Sequence, residues 1–129
     1  MDRLIAIVPA AGAGKRMGLG MNKAFAPVAG VPLLVHCLSM LAATEMITRA
    51  IVVLAPDEIN AGESMLKRYS SEYFPLLPFS VVAGGKERQD SVCNALKTVS
   101  ETEGYIAVHD GARPFAGKEV FERTLQAAQ

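Results

Sequence analysis

The chain has 129 residues, half of them hydrophobic, with 13 basic and 13 acidic side chains that cancel to no formal net charge. That is enough for one domain with a core of its own. The interspersed charges exclude a basic groove for nucleic acid, and no apolar stretch is long enough to span a membrane.

Residues 3–9 form a continuous apolar run rich in Ile and Val, which predicts a strand buried on both faces. A glycine-rich loop follows over 10–22. Apolar positions 34, 37, 38, 41 and 42 give a helical period over 31–43, with Pro32 in the first turn. A second buried strand is predicted over 50–55. Residues 57–70 look helical, although Gly62 weakens that pattern. A loop with two prolines leads to a third strand, Phe79–Ala83. After Gly84-Gly85, residues 92, 95, 96 and 99 form an amphipathic stripe that predicts a helix over 87–99. Tyr105–Val108 is the fourth strand and 117–128 the last helix. Cys37 and Cys93 lie in apolar helical patterns and are expected in the core. They match no metal spacing and suggest a reducing compartment. A strand begins within a few residues of Met1, so neither a signal nor a transit peptide is expected. The reading is of a soluble, cytoplasmic protein.

Strands alternating with helices predict an α/β fold: three layers, a mainly parallel sheet, and helices on both faces. Right-handed crossovers place the C-terminal ends of the strands on one edge. That edge collects residues 9–17, 55–57, 84–88 and 109–114. The last helix stops without a capping signal, where another strand would be expected, so the chain reads as a C-terminally truncated piece of one domain.

The first loop runs Pro9-Ala-Ala-Gly-Ala-Gly-Lys-Arg-Met17. Gly12 and Gly14 allow a sharp turn and close approach to a ligand. Backbone N–H groups in such a loop bind phosphate oxygens, and Ala10, Ala11 and Ala13 keep side chains clear. Lys15, Arg16 and Lys23 supply cations that can hold phosphates and stabilise charge that grows during transfer. Two familiar patterns fail here. A P-loop needs Ser or Thr after Gly-Lys, and this chain has Arg16. A dinucleotide fingerprint needs its third glycine one place earlier and a helix at once.

Gly84-Gly-Lys-Glu-Arg-Gln-Asp-Ser91 joins a strand to a helix, where backbone groups at the double glycine and the Ser91 hydroxyl suit a flat base edge. A polar helix start with Asp90 near the dipole explains the same residues. In His109-Asp-Gly-Ala-Arg-Pro114, an acid directly after a buried strand suits Mg²⁺, which takes one or two carboxylates plus substrate phosphates. A local ion pair between Asp110 and Arg113 is the bland alternative.

Three motifs, 9–17, 84–92 and 108–114, in this order and at these spacings, resemble those of the 2-C-methyl-D-erythritol 4-phosphate cytidylyltransferases of the non-mevalonate isoprenoid pathway. The resemblance runs through nearly the whole chain. It implies a Rossmann-like nucleotidyltransferase fold and transfer of a cytidylyl group from CTP to a sugar-alcohol phosphate, with Mg²⁺ as cofactor. By resemblance, Arg16 and Lys23 would be catalytic, neutralising the α-phosphate and the leaving pyrophosphate. Ala10, Ala11, Gly12 and Gly14 would hold ribose and phosphates. Gly85, Lys86 and Ser91 would read cytosine. Asp110 would bind the metal, Gly111 would lie at the ribose, and Arg113 would support the loop. The family's usual Pro-Lys-Gln is replaced by Asn22-Lys23-Ala24, while Lys86 and Gly111 replace an acid or small polar residue and an alanine. A complete member continues into later strands and an arm that makes a homodimer and closes the acceptor pocket. Ribitol 5-phosphate cytidylyltransferase is the near rival. A CTP-binding fragment without turnover and a plain structural domain are the rivals of other classes.

Overall fold

A computed structural model describes residues 4–11, 23–85, 88–99 and 105–108. The expected helix over 117–128 lies outside these residues. One of the two inner strands of the described sheet is β1 (Leu4–Pro9), whose Leu-Ile-Ala-Ile-Val run is buried throughout. It pairs in parallel with β4 (Ile47–Leu54) on one side and with β6 (Tyr105–Val108) on the other. Beyond β4 lies β5 (Phe79–Ala83), also parallel. The order across the sheet is β5-β4-β1-β6.

Alternation along the strands assigns each residue to a face. Ala6 and Val8 of β1, with Ala50, Val52 and Leu54 of β4, join one core cluster. That face is covered by α1 (Leu33–Ala43) and α2 (Ile59–Tyr73). Ile5, Ile7, Ile51 and Val53 point the other way and meet Val92 and Ala95 of α3 (Arg88–Leu96). The expected three layers are therefore present. Leu34, Leu38 and Leu41 of α1 are fully buried, and each contributes about 1.5–3 kcal/mol by leaving water. Among the described residues, no helix is long and apolar enough to cross a membrane.

Several boundaries differ from expectation. β4 starts at Ile47 rather than 50, because Leu4 pairs with Ile47 and the Thr48 hydroxyl donates to the Leu4 carbonyl at 3.4 Å. α1 begins at Leu33, since 31–32 belongs to a small antiparallel hairpin. Its strands are β2 (Pro27–Val28) and β3 (Val31–Pro32). Ala29 (φ 53°) and Gly30 (φ 81°) form the two-residue connection, and left-handed angles at both positions match the right-handed twist of paired strands. His36 Nε2 donates to the Val28 carbonyl at 2.7 Å and fastens the hairpin to α1. The N-terminus of α1 has no side-chain cap; instead the Leu33 N–H reaches the Ala26 carbonyl at 2.9 Å.

α2 runs on to Tyr73 in spite of Gly62. A Cβ at Gly62 would collide with Leu54 and lie 3.4 Å from Phe25. The glycine is thus the contact surface between α2, the end of β4 and the turn at Lys23–Phe25. Cys37 is buried, but Cys93 is exposed, and so is Leu96. α3 turns Ser91, Val92 and Ala95 to the sheet, which leaves Cys93 and Leu96 on its outer side.

Candidate functional site

The order β5-β4-β1-β6 contains a reversal. From β1 the chain steps outward through β4 to β5, and then returns across the sheet to β6. The outward crossovers, α1 and α2, lie on one face, and α3, on the return path, lies on the other. The strand order therefore changes direction at the gap between β1 and β6. Such a gap at the carboxyl ends of parallel strands is where open α/β sheets bind ligands.

The strand ends are tied together at one level. The Ala10 N–H donates to the Val53 carbonyl at 2.8 Å, and the Gly84 N–H to the Leu54 carbonyl at 2.8 Å. Each bond extends a parallel ladder one step past its strand, so the first and second motifs leave the sheet side by side. Their separation is small. A Cβ at Gly84 would stand 3.3 Å from the Ala11 Cβ, 3.2 Å from Val53 Cγ1 and 2.7 Å from Ser91 Oγ.

Ser91 is buried at the first turn of α3. Its hydroxyl oxygen accepts the Gly85 N–H at 3.3 Å, which holds the double glycine in a tight turn and leaves the hydroxyl proton to donate elsewhere. A Cβ at Gly85 would collide with Asp90, so the glycine lets the turn fold back on the start of the helix. One turn further along α3, Asn94 Nδ2 donates to the Ala83 carbonyl at 2.9 Å and fixes the last residue of β5. Sequence reasoning passed over Asn94. The available signal was a side-chain amide three residues after Ser91, on the helix face that meets the sheet.

Of the residues singled out from the sequence, Ala10, Ala11, Gly85 and Ser91 are gathered at this edge. The backbone of Lys23 opens the 3₁₀ turn Lys23–Phe25, which packs against the same edge through Phe25 and Leu54. Gly12, Gly14, Arg16, Lys86, Asp110, Gly111 and Arg113 lie outside the described residues. Ile7 pairs with Val108, and Asp110 follows Val108 by two positions in the sequence.

Residues 4–129 match the family model of IspD, 2-C-methyl-D-erythritol 4-phosphate cytidylyltransferase. The chain belongs to this family. An IspD relative in Bacillus mycoides (strain KBAB4), named 2-C-methyl-D-erythritol 4-phosphate cytidylyltransferase, is 42% identical over 123 residues, which cover 95% of this chain and 52% of that protein. The crystal structure of 4-diphosphocytidyl-2C-methyl-D-erythritol synthase from Anaerococcus prevotii DSM 20548 superposes with a TM-score of 0.77 at 26% identity, covering 98% of this chain and 51% of that one. The bifunctional IspDF from Campylobacter jejuni shares the fold at a TM-score of 0.71 and 20% identity, over 99% of this chain and 31% of its own. The chain spans about half the length of the curated IspD relatives it matches. The parallel α/β sheet with helices on both faces, read from strand and helix patterning, is the IspD architecture.

Proposed function

We propose that the chain forms the nucleotide-binding part of a cytidylyltransferase that converts CTP and 2-C-methyl-D-erythritol 4-phosphate into the CDP-alcohol and pyrophosphate. A phosphate oxygen of the acceptor attacks the α-phosphorus in line. The bond from that phosphorus to the bridging oxygen breaks, and pyrophosphate leaves with the electron pair. No covalent enzyme intermediate is required, so the protein contributes position and charge.

The observation that carries this reading is the switch between β1 and β6. The sequence places a glycine-rich segment with cations after the first of these strands and an acid after the second. In the proposal, Ala10, Ala11, Gly12 and Gly14 approach ribose and phosphates. Arg16 and Lys23 neutralise the crowded α-phosphate and the leaving group. Gly85, Lys86 and Ser91 face the base, Gly111 lies at the ribose, and Arg113 supports its loop. Ala11 and Gly84 are in near contact, so phosphate and base groups would be presented from adjacent turns.

Magnesium fits this donor set. Among the described residues no three His, Cys, Asp or Glu side chains converge on a metal position, and Mg²⁺ needs no such cage: it uses one or two carboxylates and completes its shell with phosphate oxygens and water. Asp110 is the proposed carboxylate. When bound, the ion would offset negative charge on the triphosphate. The reading also includes a cytoplasmic location, in keeping with two cysteines outside disulfides, and a homodimer as the complete assembly.

The test is calorimetric titration of the chain with CTP and Mg²⁺, with UTP and ATP as controls, followed by product analysis with methylerythritol phosphate and ribitol 5-phosphate. CTP-selective binding and CDP-methylerythritol are expected. Transfer to ribitol phosphate alone would replace the acceptor assignment. No nucleotide binding by folded chain would remove the whole reading.

A further inference from the structure

The outer edge of β5 is a self-complementary pairing surface, and we propose that two copies of this chain join there, antiparallel, about a two-fold axis at Val81. This contact is independent of the proposed reaction. It also differs from the arm that the family resemblance associates with dimers.

The hydrogen-bond pattern fixes which backbone groups are available. The Ala50 N–H donates to the Pro78 carbonyl at 2.9 Å, and the Gly84 N–H to the Leu54 carbonyl at 2.8 Å. With Ala50 opposite Phe79, Val52 opposite Val81 and Leu54 opposite Ala83, the parallel ladder is consumed by Ser80 and Val82 on the β5 side. Phe79, Val81 and Ala83 then direct their N–H and C=O groups away from β4, where the Ala83 carbonyl meets Asn94 Nδ2 of α3. Among the described residues no strand lies beyond them.

Natural edge strands are usually blunted by a charge, a proline or a bulge. Phe79-Ser-Val-Val-Ala83 has none of these. In an antiparallel pair centred on Val81, residue 79 faces 83 of the other copy and 81 faces 81. All three positions are then hydrogen-bonded pairs: five outward groups of each strand gain a partner, and the Ala83 carbonyl, which already accepts from Asn94 Nδ2, takes a second bond on its other lone pair. A shift of the pairing by two residues leaves some of them without partners.

The side chains agree with that register. Phe79 and Val81 lie on the α2 side of the sheet. Pairing sets the large Phe79 beside the small Ala83 at both ends and Val81 beside Val81 in the middle. Next to this edge is a groove of about 540 Å³ lined by Glu63, Lys67, Phe74, Leu77, Phe79 and Val81. It leaves room on the α2 side for the second copy's side chains. A five-residue edge is smaller than a standard interface, so the dimer should be weak, with a Kd on the order of 0.1 mM.

The experiment uses sedimentation velocity over a concentration series, together with charge exchange at the axis. Val81→Lys and Val81→Glu each put like charges directly opposite one another and should weaken self-association at least tenfold. An equimolar mixture should restore dimers, because Lys then faces Glu. A wild-type chain that stays monomeric at millimolar concentration would overturn the proposal, as would single variants that still dimerise, or folded variants whose mixture does not. Amide exchange supplies a readout without substitutions. The Phe79, Val81 and Ala83 amides should slow as concentration rises, while Ser80 and Val82 stay slow throughout. Equal, concentration-independent rates at all five would also overturn it.

Discussion

Gly84→Ala tests whether the first two motifs are in contact as described. Gly84 does not have a left-handed φ, so its backbone conformation is open to alanine and the effect is steric. The new methyl would meet Ser91 Oγ at 2.7 Å, Val53 Cγ1 at 3.2 Å and Ala11 Cβ at 3.3 Å. None of the three yields easily. Ala11 Cβ is fixed to its backbone. Val53 is fully buried and stiff at χ1, and Ser91 is held by Gly85. Overpacking of this kind costs about 1–3 kcal/mol. The lower entropy of the unfolded alanine chain returns roughly 0.4–1 kcal/mol. The expected net loss is about 1–2 kcal/mol in urea denaturation followed by circular dichroism, with an unchanged m-value. Ser91→Ala removes the nearest atom, so the double variant should lose at least about 0.5 kcal/mol less than the sum of the singles. Gly30→Ala is the control: no atom lies within 4 Å, but φ is 81°. It should lose about 1 kcal/mol through backbone strain and add simply to Ser91→Ala. A neutral Gly84→Ala, or strict additivity with Ser91→Ala, would refute the packing argument.

Four further outcomes are expected. Asn94→Ala should lower stability by about 1 kcal/mol through loss of its bond to Ala83, and should raise amide exchange at Gly84 and Gly85; unchanged exchange would show that Asn94 does not hold this turn. Ala29→Asn should stabilise the chain by about 0.5–1 kcal/mol, since asparagine tolerates the left-handed φ of 53° better than alanine does; a lower melting temperature would contradict this. Arg16→Ala should reduce turnover by on the order of 10²-fold in a length of the protein that shows activity, and near-normal turnover would leave Arg16 as a surface cation. Asp110→Asn should weaken Mg²⁺-dependent CTP binding in calorimetry, and an unaltered metal dependence would remove Asp110 as a ligand.

The sequence was most legible where an apolar run is bounded by glycine, proline or polar residues. The bounds of β5 and β6 follow from such runs to the residue. The apolar signal of β4 stops short at Thr48 and Arg49, although the ladder with β1 continues beneath them. The hairpin of β2 and β3 escaped because strands of two residues show no period. Cys93 and Leu96 read as core residues in the sequence because a hydrophobic count is blind to Ser91. This polar residue takes the buried position beside Gly84, so the helix turns one position away from the apparent stripe. At the site, Ala10, Ala11, Gly85 and Ser91 could be named from local chemistry. The approach of Ala11 to Gly84 could not, since it depends on β4 lying between β1 and β5, a long-range fact of topology.

The placement of β1 also bears on how the protein is made. β1 lies between β4 and β6, and Leu4 pairs with both Ile47 and Tyr105. At a synthesis rate of about 5–20 residues per second, roughly 5–20 seconds separate β1 from its last neighbour on the ribosome. Throughout that interval an Ile- and Val-rich edge waits for β6. Folding led by such distant pairings is slow, so the nascent chain should depend on chaperone shelter while that edge is open.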